Sequence, residues 1–272
     1  MQTDAYPRPH PLNRDFQWQD VPEGRSRRRL TRDEIEAFDR DGFILIRNAF
    51  SDDELAAVER AIDPIEAEHE RFVKEQQGGN LRLTHTDAIT FTTHIVKKSD
   101  VLRRFAAHPV IRDICHDLIG GTVRLYWDQS VYKKTAKKQE FPWHQDNGYT
   151  FIEPQQYLTF WIPLDDVDEE NGCPWIVPRL HRGGTLDHWR TPIGLKCLED
   201  TDDAVSVPAR KGDIILFSSL APHRTGPNLR DGTVRKAYIL QYAPDGAHTV
   251  VDGELVRQND ADRQFVIEDA GQ

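Results

Sequence analysis

The spacing of apolar residues divides this chain near residue 120, with a helical period before that point and an extended period after it. Thr31 and Ser51 are each followed three residues later by a glutamate, which is the pattern of a capping box. Two helices are therefore predicted to begin there. The first should end at Asp41-Gly42, before an apolar strand over Phe43–Ile46.

Proline and glycine residues mark the predicted helix ends in the rest of the helical part. The helix that begins at Ser51 should stop at Pro64, because proline lacks the N–H that continues a helix. A separate helix is predicted over residues 65–76, with a break at Gly78-Gly79. One more helix, over residues 101–118, should be closed by Gly120-Gly121.

Short segments rich in β-branched and aromatic residues follow residue 120 and predict strands. Turn signals separate them at Asn171-Gly172, Lys211-Gly212 and Asp231-Gly232. The clearest strands are Arg124–Tyr132, Leu158–Leu164, Ile214–Phe217 and Arg235–Tyr242. Helices followed by many strands indicate a mainly β protein with flanking helices, built on an antiparallel sandwich or barrel.

A length of 272 residues suits one domain with a substantial core. Residues 1–29 contain four prolines and end in an arginine cluster, so they are predicted to form an extended arm. The domain should span residues 30–250, with a helical part over 30–120 and a β core over 121–245. Residues 251–272 are predicted to be a polar tail.

The net charge of −10 argues against nucleic acid or an anionic membrane as the main partner, so a small-molecule partner is expected. Cys115, Cys173 and Cys197 are widely spaced, which fits a reducing compartment. There is no signal-peptide core and no apolar run long enough to cross a membrane. A soluble, cytoplasmic protein is expected, and its oligomeric state is left open.

The candidate chemistry lies in Phe141–Tyr149. His144 and Asp146 are two positions apart in an extended segment, so both side chains point to the same side and can hold one metal ion. The best third ligand is His223. Two imidazoles and one carboxylate are the ligand set of non-haem Fe(II) oxygenases. A rival motif, His85-Thr86-Asp87, lacks a following strand rich in tryptophan and is the weaker candidate.

Iron of this kind needs an electron source to use O₂, and 2-oxoglutarate is the common one. Its distal carboxylate requires a partner, and arginine is suited to it because the guanidinium makes two parallel bonds. Arg235 begins the strand after His223 and shares one face with Ala237, Ile239 and Gln241. A surface position for Arg235 is the alternative interpretation.

Four ordered motifs resemble the phytanoyl-CoA dioxygenase family and cover roughly residues 30–243. They are Trp143–Tyr149, Phe160–Cys173, the segment His223-Arg224-Thr225-Gly226-Pro227-Asn228, and Arg235-Lys236-Ala237, with a similar N-terminal signature over Leu30–Ser51. The resemblance implies a double-stranded β-helix, which is a jelly-roll of the cupin type. It also implies a hydroxylase that uses Fe(II), 2-oxoglutarate and O₂ and forms succinate and CO₂.

By position, the resemblance implies His144, Asp146 and His223 as iron ligands and Arg235 as the anchor of 2-oxoglutarate. Thr225, Trp161 and Gln129 fall where the family contacts or borders the co-substrate. Halogenating relatives lack the carboxylate ligand, so the presence of Asp146 favours hydroxylation or a related oxidation. One departure is Pro178–His181, where the family usually has Pro-Gly-Ser-His. This change affects the shape of the pocket and no proposed ligand.

The substrate is poorly determined by the sequence. Candidate contacts are Asn147, Tyr149, Phe151, Trp175 and His181, and each has a structural role as its alternative. The lysines at positions 133, 134, 137 and 138 could receive a phosphate or carboxylate, although a solvated loop is the favoured interpretation. An acyl-CoA, an amino acid, and a sugar-derived or polyketide-like metabolite all stay open.

Two other classes of function are carried as alternatives. One is a non-oxidative, cupin-like metalloenzyme such as an isomerase or hydrolase, which would have no use for Arg235. The other is a binding module without catalysis, which would have no need to retain all three proposed ligands.

Overall fold

The computed structural model describes residues 7–76, 80–81, 83–252 and 254–269. In this part of the chain the α-helices precede residue 119, and strands dominate the residues after it. The helices are α1 Arg32–Asp41, α2 Asp52–Glu75, α3 Asp100–Phe105 and α4 Pro109–Leu118. No helix among the described residues is both long and apolar enough to span a membrane.

The strands extend from the end of α1 to the C-terminal region. In chain order they are β1 Phe43–Ile46, β2 Asn80–Leu81, β3 Thr84–His85, β4 Ile89–Thr93, β5 Val123–Lys133, β6 Phe141–His144, β7 Ile152–Glu153, β8 Leu158–Pro163, β9 Pro174–Ile176, β10 Trp189–Thr191, β11 Gly194–Lys196, β12 Val205–Ser206, β13 Ile214–Ser218, β14 His223–Thr225, β15 Arg235–Pro244, β16 His248–Val251, β17 Glu254–Arg257 and β18 Val266–Glu268. The four strands predicted most clearly correspond to β5, β8, β13 and β15, so these predictions are confirmed.

Two antiparallel sheets form the core. The major sheet has the order β1-β13-β8-β15-β5-β4-β3-β2, with β18 added along β5. The minor sheet has the order β12-β9-β14-β6. Side chains from both sheets line one cavity, so the sheets face each other as in a jelly-roll. The predicted fold class is confirmed.

Alternation along each strand divides the major sheet into two faces. On β15, Tyr238, Leu240 and Tyr242 join the large core that the helices cover. Ala237 instead packs with Trp161 and other residues between the two sheets. The helical layer therefore supports the outer face of the major sheet, and the inner face is free to build a site.

The predicted helix starts and the first helix end are confirmed. Thr31 and Ser51 both form complete capping boxes, with Glu34 and Glu54 respectively. Gly42 ends α1 with φ 83°, a left-handed conformation that glycine adopts without strain. Glycine at each of the predicted turns, 172, 212 and 232, also has positive φ.

Two predicted helix boundaries are wrong. The helix α2 continues through Pro64, because its buried residues Leu55, Val58, Ile62 and Ile65 keep helical spacing across it. That packing offsets the cost of an internal proline, about 3 kcal/mol. The helix predicted over 101–118 is instead divided into α3 and α4, and Pro109 occupies the first turn of α4. The predicted break at Gly78-Gly79 lies outside the described residues.

The division into arm, domain and tail stays a prediction, although both ends contact the core. Trp18 and Val21 of the arm pack against the main core. In the predicted tail, Ile267 on β18 is buried, and Glu268 accepts hydrogen bonds from Arg28 and Arg112. Residues from both termini are therefore tied to the helical layer.

Candidate metal centre

Pairing of two strands in the minor sheet brings His144 and His223 together. These residues are register partners on β6 and β14, and their ring centroids lie 4.1 Å apart. Oδ1 of Asp146 is 3.9 Å from Nε2 of each histidine. All three ligand atoms lie within 4.8 Å of one another, and no other such cluster occurs among the described residues.

Backbone carbonyls fix the orientation of both imidazoles. Nδ1 of His144 donates to the carbonyl of Pro142 at 2.8 Å, and Nδ1 of His223 donates to that of Ala221 at 3.0 Å. A hydrogen on Nδ1 leaves the lone pair on Nε2, the atom that faces Asp146. Burial lowers the pKa of His144 well below its ordinary value, which keeps the ring neutral. Both rings are therefore ready to act as metal ligands.

The residue between the first two ligands holds their loop in place. Gln145 is extended, with φ −110° and ψ 143°, so it points away from His144 and Asp146 as alternation predicts. Its buried amide donates to the carbonyls of Gly184 and Leu220 and accepts from the N–H of Leu186. Such a satisfied buried amide gives the ligand loop one conformation.

A hydroxyl orients the carboxylate ligand. Thr159 on β8 donates from Oγ1 to Oδ2 of Asp146. The other oxygen, Oδ1, remains directed at the two imidazoles. Thr159 was missed by sequence reasoning, although it lies two residues from Trp161 and therefore on the same strand face. This contact is of the kind that sets the direction of a metal ligand from behind it.

The environment of Arg235 tests whether a dicarboxylate fits this cavity. Arg235 is 1% exposed, and none of its three guanidinium nitrogens has a hydrogen-bond partner among the described residues. The guanidinium lies 5.1 Å from the ring centroid of Trp161, and burial lowers its pKa to about 10. An unpaired buried cation is costly unless an anion joins it. The donor set and this cation therefore fit Fe(II) and 2-oxoglutarate, and the alternative of a surface arginine is wrong.

The remaining residues expected beside the co-substrate also line this cavity, whose volume is about 380 Å³. Thr225 on β14, Trp161 on β8 and Gln129 on β5 reach it from three strands. The indole N–H of Trp127 donates to the amide oxygen of Gln129 at 3.1 Å. The amide nitrogen of Gln129 is consequently left to donate to a ligand. The roles of these residues stay predictions.

Lys133 does not belong to a solvated loop, so that interpretation of the lysine group is wrong for this residue. It is 1% exposed at the end of β5, opposite Arg235 in register. Its ammonium donates to the carbonyls of Thr225 and Gly226 at 2.8 and 2.6 Å. Burial, with a smaller effect from Arg235, lowers its pKa well below the ordinary value. Alternation from Gln129 through Val131 was the signal that could have placed it inward.

One of the five substrate candidates, Tyr149, lines the cavity. The other four have structural contacts instead. Asn147 accepts from the N–H of Ile152 and donates to the hydroxyl of Thr185, and Phe151 stacks on His10 at 4.9 Å. The guanidinium of Arg224 covers Trp175, and His181 is fully buried against Trp18. These four side chains therefore have contacts outside the described cavity wall, and their proposed substrate roles stay predictions.

The segment Pro178–His181, which departs from the family pattern, does not contribute to the metal site. Arg179 stands where the family usually has glycine and keeps a positive φ of 72°. His181 lies beneath α1, with Nε2 3.2 Å from the carbonyl of Asp39.

The rival motif His85-Thr86-Asp87 lies at a turn. Asp87 is exposed there with φ 67° and pairs with Lys74. His85 and Asp87 therefore do not form the metal pair.

His188 was also missed, and it supports the ligand loop from outside. Its Nε2 accepts from the N–H of Gln145 at 3.0 Å. Burial lowers its pKa to about 4, so it remains a neutral acceptor. A Cβ on Gly148 would lie 2.0 Å from this ring, so only glycine fits there. A lone histidine in a loop gives no sequence signal for such a contact.

Comparison with known proteins identifies a family. A family model described as phytanoyl-CoA dioxygenase (PhyH) matches residues 38–237. Ectoine dioxygenase of Bordetella parapertussis is 26% identical over 234 residues, which covers 76% of this chain and 73% of that protein. Methylphosphonate hydroxylase of Gimesia maris is 26% identical over 241 residues, which covers 86% of this chain and 87% of that protein.

Solved structures share the fold. EctD from S. alaskensis, solved with 2-oxoglutarate and 5-hydroxyectoine, superposes with a TM-score of 0.65 at 22% identity, over 89% of this chain and 84% of that one. The α-ketoglutarate-dependent carbocyclase SnoK from nogalamycin biosynthesis also superposes with a TM-score of 0.65. It is 23% identical, and the match covers 81% of this chain and 86% of that one. At this identity, these likenesses support the jelly-roll architecture alone.

Proposed function

This chain belongs to the phytanoyl-CoA dioxygenase family, and on that premise we propose that it oxidises a small organic metabolite. It is a non-haem dioxygenase that depends on Fe(II), 2-oxoglutarate and O₂. Hydroxylation is the favoured outcome because Asp146 occupies the carboxylate position that halogenating relatives lack. Succinate and CO₂ are the co-products.

A single observation carries the assignment of residues. The triad of His144, Asp146 and His223 opens into the same cavity as Arg235, whose buried guanidinium has no partner within the described protein. The triad would hold Fe(II), and Arg235 would bind the distal carboxylate of 2-oxoglutarate. A non-oxidative metalloenzyme would have no role for Arg235. A binding module without catalysis would have no role for the three oriented metal ligands.

Fe(II) held by the triad, together with 2-oxoglutarate and O₂, would supply the oxidising chemistry for a substrate C–H bond, with succinate and CO₂ as co-products. The side chains of the protein orient the metal ligands and form the cavity around them. Thr159 holds Asp146 in one orientation, and Trp161 covers the guanidinium of Arg235. Gln129 and Thr225 offer neutral donors in the same cavity. Burial of His144 and His223 limits access of water to the reacting position.

Three substitutions test this proposal. His144→Ala and Asp146→Ala should abolish succinate formation that depends on Fe(II) and 2-oxoglutarate, with little loss of folding. Arg235→Ala should raise the KM for 2-oxoglutarate roughly a hundredfold, because charged hydrogen bonds of about 1.5–3 kcal/mol each are lost. His85→Ala is the matched control and should behave like the parent. Full succinate formation by His144→Ala would overturn the assignment.

A small-molecule substrate, with neither nucleic acid nor a membrane as partner, is part of the same proposal. The net charge of −10 supports it. We also propose the cytoplasm as the compartment. Cys115, Cys173 and Cys197 are all unpaired and buried, which supports a reducing environment.

A further inference from the structure

The charges around the cavity are few and already assigned. Among the described residues that line it, Asp146 and Arg235 are the ones with a carboxylate or a guanidinium, and there is no lysine. Under the proposed function, Asp146 binds iron and Arg235 binds 2-oxoglutarate. The described wall therefore offers no further ion to pair with a charged substrate.

The part of the wall beside the metal ligands is apolar. It consists of residues from four strands and the turn before β3: Leu83, Ile89, Phe91, Val131, Phe141 and Ile239. This surface begins at the metal centre, since the ring of Phe141 meets that of His144 edge-on at 4.8 Å. Phe91 continues it, with its ring centroid 5.0 Å from that of Phe141. A substrate carbon presented to the metal thus lies against hydrocarbon.

The polar groups on the rest of the wall are neutral. Burial raises the pKa of Tyr126 to about 12, so its phenol stays protonated. Tyr149 accepts from the N–H of Leu195 at 3.1 Å through its hydroxyl oxygen, which leaves the O–H as a donor. Burial lowers the pKa of His69, which lies 3.4 Å from the hydroxyl of Thr84. These groups can bind hydroxyl or carbonyl oxygens but cannot neutralise an ion.

We propose that the substrate is an uncharged molecule with an apolar body and neutral oxygen functions. This inference rests on the proposed function, because Arg235 and Asp146 count as occupied only there. A carboxylate, phosphate or ammonium would lose its hydration in this cavity without gaining a partner among the described residues of the wall. The described wall therefore selects against phosphonates and amino acids, whose charged groups would be buried inside the cavity.

Three probes of one skeleton isolate the effect of charge: 2-phenylethanol, phenylacetate and 2-phenylethylammonium. Their dissociation constants are measured by ligand-observed NMR on the full chain loaded with Zn(II), a redox-inert substitute, and 2-oxoglutarate. We expect the alcohol to bind at least tenfold more tightly than either ion. Equal affinity, tighter binding of an ion, or no binding of the alcohol would overturn the inference.

A charge added to the apolar wall provides a second, reciprocal test. Leu83 is half-buried and near the edge of the major sheet, so Leu83→Arg should be accepted by the fold. The variant should bind phenylacetate at least tenfold more tightly than the parent does. Leu255→Arg, at an exposed residue of β17, is the matched control and should leave all three affinities unchanged. No gain for phenylacetate in Leu83→Arg would contradict the inference.

Binding of 2-oxoglutarate, measured separately in the same samples, distinguishes the two proposals. If 2-oxoglutarate does not bind the parent, or binds equally well to Arg235→Ala, the proposed function fails. If it binds and depends on Arg235 while the neutral probe shows no preference, the inference about the substrate alone fails.

Discussion

Lys133 and Arg235 are register partners on β5 and β15, and each is 1% exposed. Two basic groups side by side in a protein interior have lost their hydration, and a charge on one disfavours a charge on the other. Carbonyls of Thr225 and Gly226 accept from Lys133, whereas Arg235 has no hydrogen-bond acceptor in the part of the chain that the structure describes. This corner is therefore arranged to receive an anion, with Lys133 as a positioning residue that holds the adjacent turn.

Lys133→Met should weaken binding of 2-oxoglutarate. Methionine keeps the length of the side chain but removes the positive charge and releases the turn at Thr225. We expect the KM for 2-oxoglutarate to rise about tenfold, which corresponds to about 1.4 kcal/mol, with a smaller change in kcat. Steady-state kinetics measure this division. Lys134→Met, which removes an ion pair with Glu70, is the control and should leave both constants unchanged.

Thr159→Val should weaken metal binding without disturbing packing. Valine has nearly the same shape, but it cannot donate to Asp146. Loss of a contact that orients a ligand costs about tenfold or more in metal affinity. Calorimetric titration with Co(II) measures it. Thr92→Val is the control, because the buried hydroxyl of Thr92 has no hydrogen-bond partner within the described residues. Equal metal affinity in both variants would contradict the role given to Thr159.

His181→Ala should destabilise the fold and spare the chemistry. His181 is fully buried, lies 4.4 Å from Trp18 and occupies the space next to Gly42. Truncation leaves a cavity, so the free energy of unfolding should fall by about 2 kcal/mol. Chemical denaturation measures the loss, and kcat/KM per folded molecule should stay within about twofold of the parent. A loss of activity with unchanged stability would restore His181 as a candidate substrate contact.

Asp128→Asn should change how stability depends on pH. Asp128 is fully buried on β5, and burial raises its pKa from 3.8 to about 7. A raised folded-state pKa means that the contribution of this group to stability is present below about pH 4 and is lost as pH rises to about 7. Asparagine carries no charge at any of these values. The parent should therefore lose stability relative to the variant over this range.

Unfolding free energies of both proteins at several pH values between about 5 and 8 test this expectation. Burial lowers the pKa of His94, His181 and His188 to about 4. The contribution of these residues to the free energy of unfolding is therefore lost as pH falls. They are common to both proteins, and their effect cancels in the difference. A difference that stays constant across the range would show that Asp128 does not titrate as inferred.

Local pattern was sufficient for much of the fold. Capping boxes at Thr31 and Ser51, glycine turns and strand alternation are properties of neighbouring residues, and the structure confirms them. Pro64 and Pro109 show the limit of such reasoning. A helix continues through the first and is interrupted before the second, because packing of the flanking apolar residues determines whether the proline is tolerated.

The sequence by itself determined the ligand chemistry and the strand periods, since spacing along a strand sets which side chains share a face. It placed His144 beside Asp146 and Arg235 beside Ile239. Only the tertiary structure decided what lies across from them. Pairing of β6 with β14 joined His223 to His144, and pairing of β5 with β15 set Lys133 against Arg235. Such contacts depend on the register between segments far apart in the chain, which local spacing does not encode.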